Sequence, residues 1–205
     1  MKIVVVFPTR TEAQFFSHPQ VAVEFCGVGM AATAYHIGRI IYRDKPDWII
    51  LAGIAGVYQG SRFGLGEAVL VASEAEADLG FFTPTGFTHL ADLPLAMDFT
   101  ATRQWLCPYV AEVQGLPQAS SNSLNAAMAP FINTQGVDIE NMEGAAFFQV
   151  CLAERQPFLQ VRAISNRVEV SDEEWDFSGS IRSLTEGLHK VIEQLLAGGG
   201  PQSQQ

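Results

Sequence analysis

Positive charge is scarce in this 205-residue chain: 12 Lys and Arg stand against 22 Asp and Glu, a formal net charge of −10. That balance argues against the phosphate backbone of a nucleic acid and against an anionic membrane surface as partners. It leaves room for a small anionic ligand in a locally positive pocket. Cysteine is nearly absent. Cys26, Cys107 and Cys151 are odd in number and show no CxxC spacing, so they read as buried free thiols in a reducing compartment. The four histidines, His18, His36, His89 and His189, have no metal-ligand spacing, and no metal or other cofactor is expected. Long apolar runs are missing too. The N-terminal one stops at Pro8, too short for a signal peptide or a membrane span, which points to a cytoplasmic protein. No repeat, linker or domain boundary interrupts the chain. Residues 1–197 are expected to form one domain, and the Gly198-Gly199-Gly200-Pro201 stop with its Gln/Ser tail (198–205) is expected to be disordered.

What remains is an apolar chain, 48% hydrophobic and 17% charged, whose runs alternate between two periods. Lys2–Phe7, Val21–Cys26, Asp47–Gly53, Glu67–Ser73 and Phe158–Ser165 read as strands, and Gln118–Leu124 as a polar passage from strand to loop. Met30–Tyr42 and Ser178–Ala197 carry apolar residues at helical spacing, the latter on one face through Ile181, Leu184, Leu188, Val191, Ile192 and Leu195. Asn125–Phe131 looks like a short helix, and Thr9 or Thr11 is placed to cap another with Glu12 in its first turn. Gly27-Val28-Gly29 lacks the third glycine of a dinucleotide fingerprint; its two small residues before a helix either let a ligand or a backbone approach closely or form a tight turn with no ligand, the second being favoured. Glu74, Glu76 and Asp78 read as a solvated strand edge; Phe81, Phe82 and Phe87 beside them are better placed as pocket walls or an interface. Leu90–Tyr109, with Pro94, Met97 and Trp105, has no clean period and is expected to be loop with a helical turn. Strands interleaved with helices predict an α/β fold in three layers, α/β/α, around a central sheet.

The most informative stretch is Val137–Phe148. A short strand ends in Met142-Glu143, and a small-residue helix begins at once. That puts Glu143 at the carboxyl edge of a sheet, where open α/β folds bind ligands. Phe158–Asn166 ends the same way, so a carboxylate and an amide from two strand ends share one candidate pocket.

Four segments in this order resemble the purine nucleoside phosphorylase and nucleosidase superfamily: the first strand with Glu12 after it, Gly53-Ile54-Ala55-Gly56, Asn141-Met142-Glu143-Gly144, and Arg162-Ala163-Ile164-Ser165-Asn166. Within it, Met142–Phe148, Arg162–Glu169 and then Asp172 and Trp175 are most similar to the futalosine hydrolases, which remove hypoxanthine from a modified inosine on a route to menaquinone. The resemblance implies a mixed, twisted central sheet, a homo-oligomer of at least two chains, and a small nucleoside and water as partners. It assigns Glu143 to the vicinal ribose hydroxyls with Met142 packing on the sugar, Glu12 to the attacking water, and Ala55 and Gly56 to the substrate loop. Arg162 and Ser165 support the pocket, and Ser123 and Leu124 are positional candidates for the base wall.

Two departures from the superfamily carry meaning. Adenine-releasing members have an aspartate where Asn166 stands; an amide cannot protonate the base but can pair with a 6-oxopurine, and hypoxanthine is favoured. Related enzymes often have a serine where Ile54 stands, and its loss disfavours a phosphate cradle, so hydrolysis is favoured over phosphorolysis. A 6-oxopurine nucleoside phosphorylase, a 5′-methylthioadenosine-type nucleosidase and a non-catalytic nucleoside-binding protein are the alternatives. Arg10 is one candidate phosphate cation. Arg10, Arg62 and Arg167 are candidates for a carboxylate on the 5′ side, and Ser171, Glu173 and Glu174 make the loop after Arg167 unusually acidic.

Overall fold

Three apolar runs lie side by side at the centre of the computed structural model, which describes residues 1–93, 98, 100–169 and 175–198. They are β1 (Ile3–Phe7), β3 (Trp48–Val57) and β10 (Phe158–Arg167), paired in parallel as β1–β3–β10. Every residue of β1 is buried, as is all of β10 except Arg167, because helices cover both faces of the sheet. The other elements in chain order are β2 (Val21–Phe25), α1 (Met30–Asp44), β4 (Ala68–Glu76), β5 (Gly80–Thr83), β6 (Gly86–His89), β7 (Trp105–Leu106), β8 (Gln118–Ser123), β9 (Ile139–Asn141), α2 (Gly144–Ala153) and α3 (Phe177–Gly198).

The sheet is mixed. β2 pairs parallel to β1 at one margin. From β3 the strands run β3–β9–β8–β4–β10, and β10 returns to pair with β3, so five strands close a ring. α1 packs on α2, α2 on β4 and β8, and α3 on β10, β3 and β4, giving the α/β/α layering. The predicted face of α3 is buried at all six apolar positions, each worth about 1.5–3 kcal/mol of transfer free energy. α1 buries Met30, Thr33, Ile37 and Ile40 at helical spacing and stops where Lys45 turns left-handed before Pro46. Among the described residues no helix is long and apolar enough to cross a membrane.

Four expectations are corrected. No helix follows β1: residues 10–15 are turns, and Glu12 is buried. Residues 125–131 form no helix either but a run of bends and turns, because Met128 adopts φ 59° and Pro130 follows, and neither suits a helix. Gly53–Gly56 is not a loop but the continuation of β3. Its glycines are needed for close approach: a Cβ at Gly53 would strike the Arg162 guanidinium and come within 2.9 Å of Glu12 Oε1, and one at Gly56 would lie 2.8 Å from Val168 Cγ2. The acidic run Glu74–Asp78 is not a solvated edge either: β4 extends to Glu76, and Glu74 is fully buried. Phe81, Phe82 and Phe87 lie on the β5–β6 hairpin, where Phe82 and Phe87 pack with Phe131. Leu90–Tyr109 contributes a 3₁₀ turn at Leu90–Asp92 and the short β7. Pro94, Met97, the acidic 171–174 segment and the tail from 199 fall outside the described residues.

Candidate active site

At the carboxyl ends of β1, β3 and β10 the chain leaves a cavity of about 490 Å³. Glu12, Ala55, Gly56, Met142, Glu143, Ser165 and Asn166 all line it, together with Ile54. Three other expected site residues do not. Arg162 lies beneath the wall, while Ser123 and Leu124 are wholly buried, Ser123 at the start of α2.

Glu143 is the residue where β9 hands over to α2. A residue at a helix start commonly spends its side chain on the free backbone N–H groups there. Here other residues do that work. Asn141 Oδ1 accepts from the N–H of Glu143 (2.8 Å) and of Gly144 (2.7 Å), and Ser123 Oγ accepts from Ala145 N–H (2.8 Å). The Glu143 carboxylate is left to face the cavity. Its Oε2 accepts from Arg162 Nη2 (3.1 Å), and its Oε1 accepts from Gly29 N–H (3.2 Å). The Gly27-Val28-Gly29 turn, with φ 79° and 94° at its glycines, thus delivers an N–H to the site, and Val28 joins the lining. Each carboxylate oxygen keeps a further lone pair for a ligand.

Glu12 comes from the turn after β1. Thr9 Oγ1 donates to its Oε2 (2.6 Å), and Ile54 N–H donates to its Oε1 (3.1 Å). Burial raises this carboxyl above its ordinary value, against the Thr9 and Ile54 hydrogen bonds and the Arg162 charge. A carboxylate whose proton affinity is raised in a cavity is suited to accept a proton from water.

Asn166 sits beside a β-bulge in β10, between Ile164 and Asn166, which re-aims the strand end at the cavity. Ser165 Oγ lies 2.9 Å from Asn166 Oδ1 and 3.3 Å from the Ala55 carbonyl, and Asn166 Nδ2 donates to the Arg167 carbonyl (3.0 Å). Asn166 pairs in register with Gly56, and Gly56 with Glu140, so amide and carboxylate flank a residue with no side chain. Glu140 Oε1 accepts from Met128 N–H (2.8 Å), and burial raises its carboxyl. Sequence reasoning alone misses the lining contributed by Glu140, Asn141, Met128, Pro8, Trp175 and Phe177. Asn141, within the Asn141-Met142-Glu143 motif, and Trp175, within the resemblance, are the two that the sequence signals, though neither is marked there as lining.

Below the cavity lies a second, closed polar layer. Glu74 accepts from Asn141 Nδ2 (2.6 Å), Gln160 Nε2 (2.8 Å) and Ser123 Oγ (2.9 Å). Burial raises its carboxyl too, opposed first by the Arg162 charge and then by these three bonds. Arg162, 1% exposed, donates from Nη2 to Asn141 Oδ1 (3.0 Å) and to Glu143, and from Nη1 to the Ile54 carbonyl (3.2 Å). Removing one partner of such a buried pair costs about 3–5 kcal/mol, because the other charge is left alone. Among the described residues lining the cavity there is no Lys, Arg or His. Arg10 instead lies over the Phe25 ring, and Arg62 donates to the Gln118 carbonyl (2.7 Å). No group of three or more His, Cys, Asp or Glu placed to hold a metal ion occurs among the described residues.

Comparison with known proteins gives the family and the fold. The family model described as Phosphorylase superfamily matches residues 110–197. The chain is 31% identical over 180 residues to the futalosine hydrolase of Thermus thermophilus, covering 82% of this chain and 79% of that one. The chain belongs to the futalosine hydrolase family. Its neighbours within the superfamily are also within reach: a 5′-methylthioadenosine/S-adenosylhomocysteine nucleosidase of Maridesulfovibrio salexigens is 26% identical over 165 residues, 73% of this chain and 69% of that one. The family's fold is seen directly in the futalosine hydrolase of Helicobacter pylori, which superposes with a TM-score of 0.72 at 12% identity, covering 95% of this chain and 98% of that one.

Proposed function

We infer that this protein hydrolyses the N-glycosidic bond of a 6-oxopurine nucleoside, futalosine, releasing hypoxanthine. The observation that carries the reading is the convergence of Glu12, Glu143 and Asn166 on one cavity. Cleavage of an N-glycosidic bond passes through a ribosyl cation with oxocarbenium character, and preorganised negative charge at the sugar lowers its energy. Glu143 accepts from the vicinal ribose hydroxyls, held in place by Arg162 and Gly29, and Met142 packs on the sugar. Glu12 orients a water and takes its proton as the C–O bond forms. Asn166 pairs with the departing base, whose negative charge develops at a 6-oxopurine without an acid to protonate it. The absence of a cation among the described lining residues favours water over phosphate as nucleophile. We extend the reading to assembly as a dimer or larger, with the Phe81–Phe87 hairpin as one contact, and to a cytoplasmic setting.

The test is base release from futalosine, inosine and 5′-methylthioadenosine, each with and without phosphate. Phosphate-independent release of hypoxanthine from futalosine is expected. Splitting of inosine only in phosphate, with futalosine untouched, would overturn it.

A further inference from the structure

We propose that Glu74 is a positioning residue for Glu143, acting through Asn141 and Arg162. This rests on the reading of Glu143 as the ribose-binding carboxylate. Glu74 does not line the cavity, yet the side chains between it and Glu143 are linked without a gap. Its Oε1 takes one Asn141 amide hydrogen, and Ser121 Oγ (2.9 Å) takes the other. Asn141 Oδ1 is thereby turned toward three donors: the N–H groups of Glu143 and Gly144, and Arg162 Nη2. Arg162 Nη2 is shared between that oxygen and Glu143 Oε2, so the position of Asn141 sets the position of the guanidinium under the cavity. Gly144 is an independent sign of the arrangement. A Cβ there would overlap the Glu74 carboxyl and lie 2.8 Å from Gln160 Nε2, so the first turn of α2 is cut away to admit this acid. The α2 N-terminus in turn favours negative charge at that spot.

The network also shows how the charge can be moved. Gln160 Oε1 has no partner among the described residues. Glu74→Gln with Asn141→Asp shifts the carboxylate one hydrogen bond toward Arg162. The acid now at position 141 faces Arg162 and the helix N–H groups, the amide now at position 74 donates to it, and Gln160 turns its free oxygen to that amide. Asn141→Asp alone instead sets two carboxylates against each other.

The experiment measures kcat/KM on futalosine and Tm for Glu74→Leu, Asn141→Asp, the Glu74→Gln/Asn141→Asp pair, Glu143→Gln, and Glu143→Gln/Glu74→Leu. Glu74→Leu and Asn141→Asp are each expected to lose about a hundredfold in kcat/KM, the scale of a misplaced site group. The charge-shifted pair is expected to recover to within about tenfold of the native protein, since coupled neighbours are not additive. Glu74→Leu is expected to cost nothing further once Glu143 is Gln. Native kcat/KM in Glu74→Leu, or a pair as poor as Asn141→Asp, overturns the proposal. So does a full further loss on the Glu143→Gln background. Where Glu74→Leu does not fold, the pair decides alone, and its failure to fold counts against the proposal. Full activity of Glu143→Gln instead overturns the reading of the site itself.

Discussion

Glu74 and Glu143 lie one layer apart, at opposite ends of a chain in which Asn141 bonds Glu74 and Arg162 bonds Glu143, and their carboxyl groups live differently. Glu74 meets only donors from its own chain, three of them, and is sealed from the cavity. Glu143 is given one donor per oxygen and faces open space. Glu12 resembles Glu143 in this respect, with Thr9 and Ile54 on its two oxygens and the cavity in front. All three residues are buried, so burial does not tell an acid sealed within the fold from one that faces the cavity. Unspent hydrogen-bonding capacity does.

The contrast can be broken first at its open end. Glu143→Gln and Glu12→Gln are each expected to lower turnover by about a hundredfold or more with the circular dichroism spectrum unchanged; normal turnover in either would remove that residue from the mechanism. Asn166→Asp is expected to shift the ratio of kcat/KM for 6-oxopurine over 6-aminopurine nucleosides by about tenfold or more toward the amino base. An unchanged ratio would take the base assignment away from Asn166. At the closed end, Gly144→Ala drives a methyl group into the Glu74 carboxyl and is expected to cost about 1–3 kcal/mol in urea unfolding. An unfolding midpoint equal to that of the native protein would mean the Glu74 pocket is loose.

The smallest effect sharpens the comparison through pH. The folded state binds the Glu12 proton more tightly than the unfolded chain does, since burial raises the carboxyl above its ordinary 4.5. Its contribution to stability is therefore complete below about pH 4.5 and is lost as pH climbs through the raised value. Glu12→Gln, with no proton to lose, is expected to gain in Tm over the native protein as pH rises across that window. A gap that narrows with pH would contradict the sign.

Much of this is legible in the chain. The β-branched runs of β1, β3 and β10 announce strands covered on both faces, and the helical spacing of α3 maps onto one buried side. The order of the motifs points Glu12, Glu143 and Asn166 toward one site, and all three line the same cavity. What stays hidden is whatever depends on pairing across long sequence distance. Glu74 looks like part of an acidic surface run until Asn141, Gln160 and Ser123, drawn from three later elements, close around it. Gly53 and Gly56 look like a loop until Arg162, Asn166 and Val168 are seen to fill the space their missing side chains leave. Ser123 looks like a pocket wall until its hydroxyl is found at the start of α2.

The closed ring of strands has a bearing on how the molecule comes into being. β10 lies between β3 and β4, so residues as far apart as Ile49 and Phe158 must meet before the ring can shut. Contacts of such long sequence separation are slow to form, because chain entropy is lost before they repay it. β10 also carries Arg162 and Asn166. During synthesis, then, a chain can own its first strands, α1 and Glu12 and still lack the guanidinium that bonds Glu143 and the Asn166 amide that lines the cavity. The pocket is therefore assembled late, only once β10 has been made and has closed the ring.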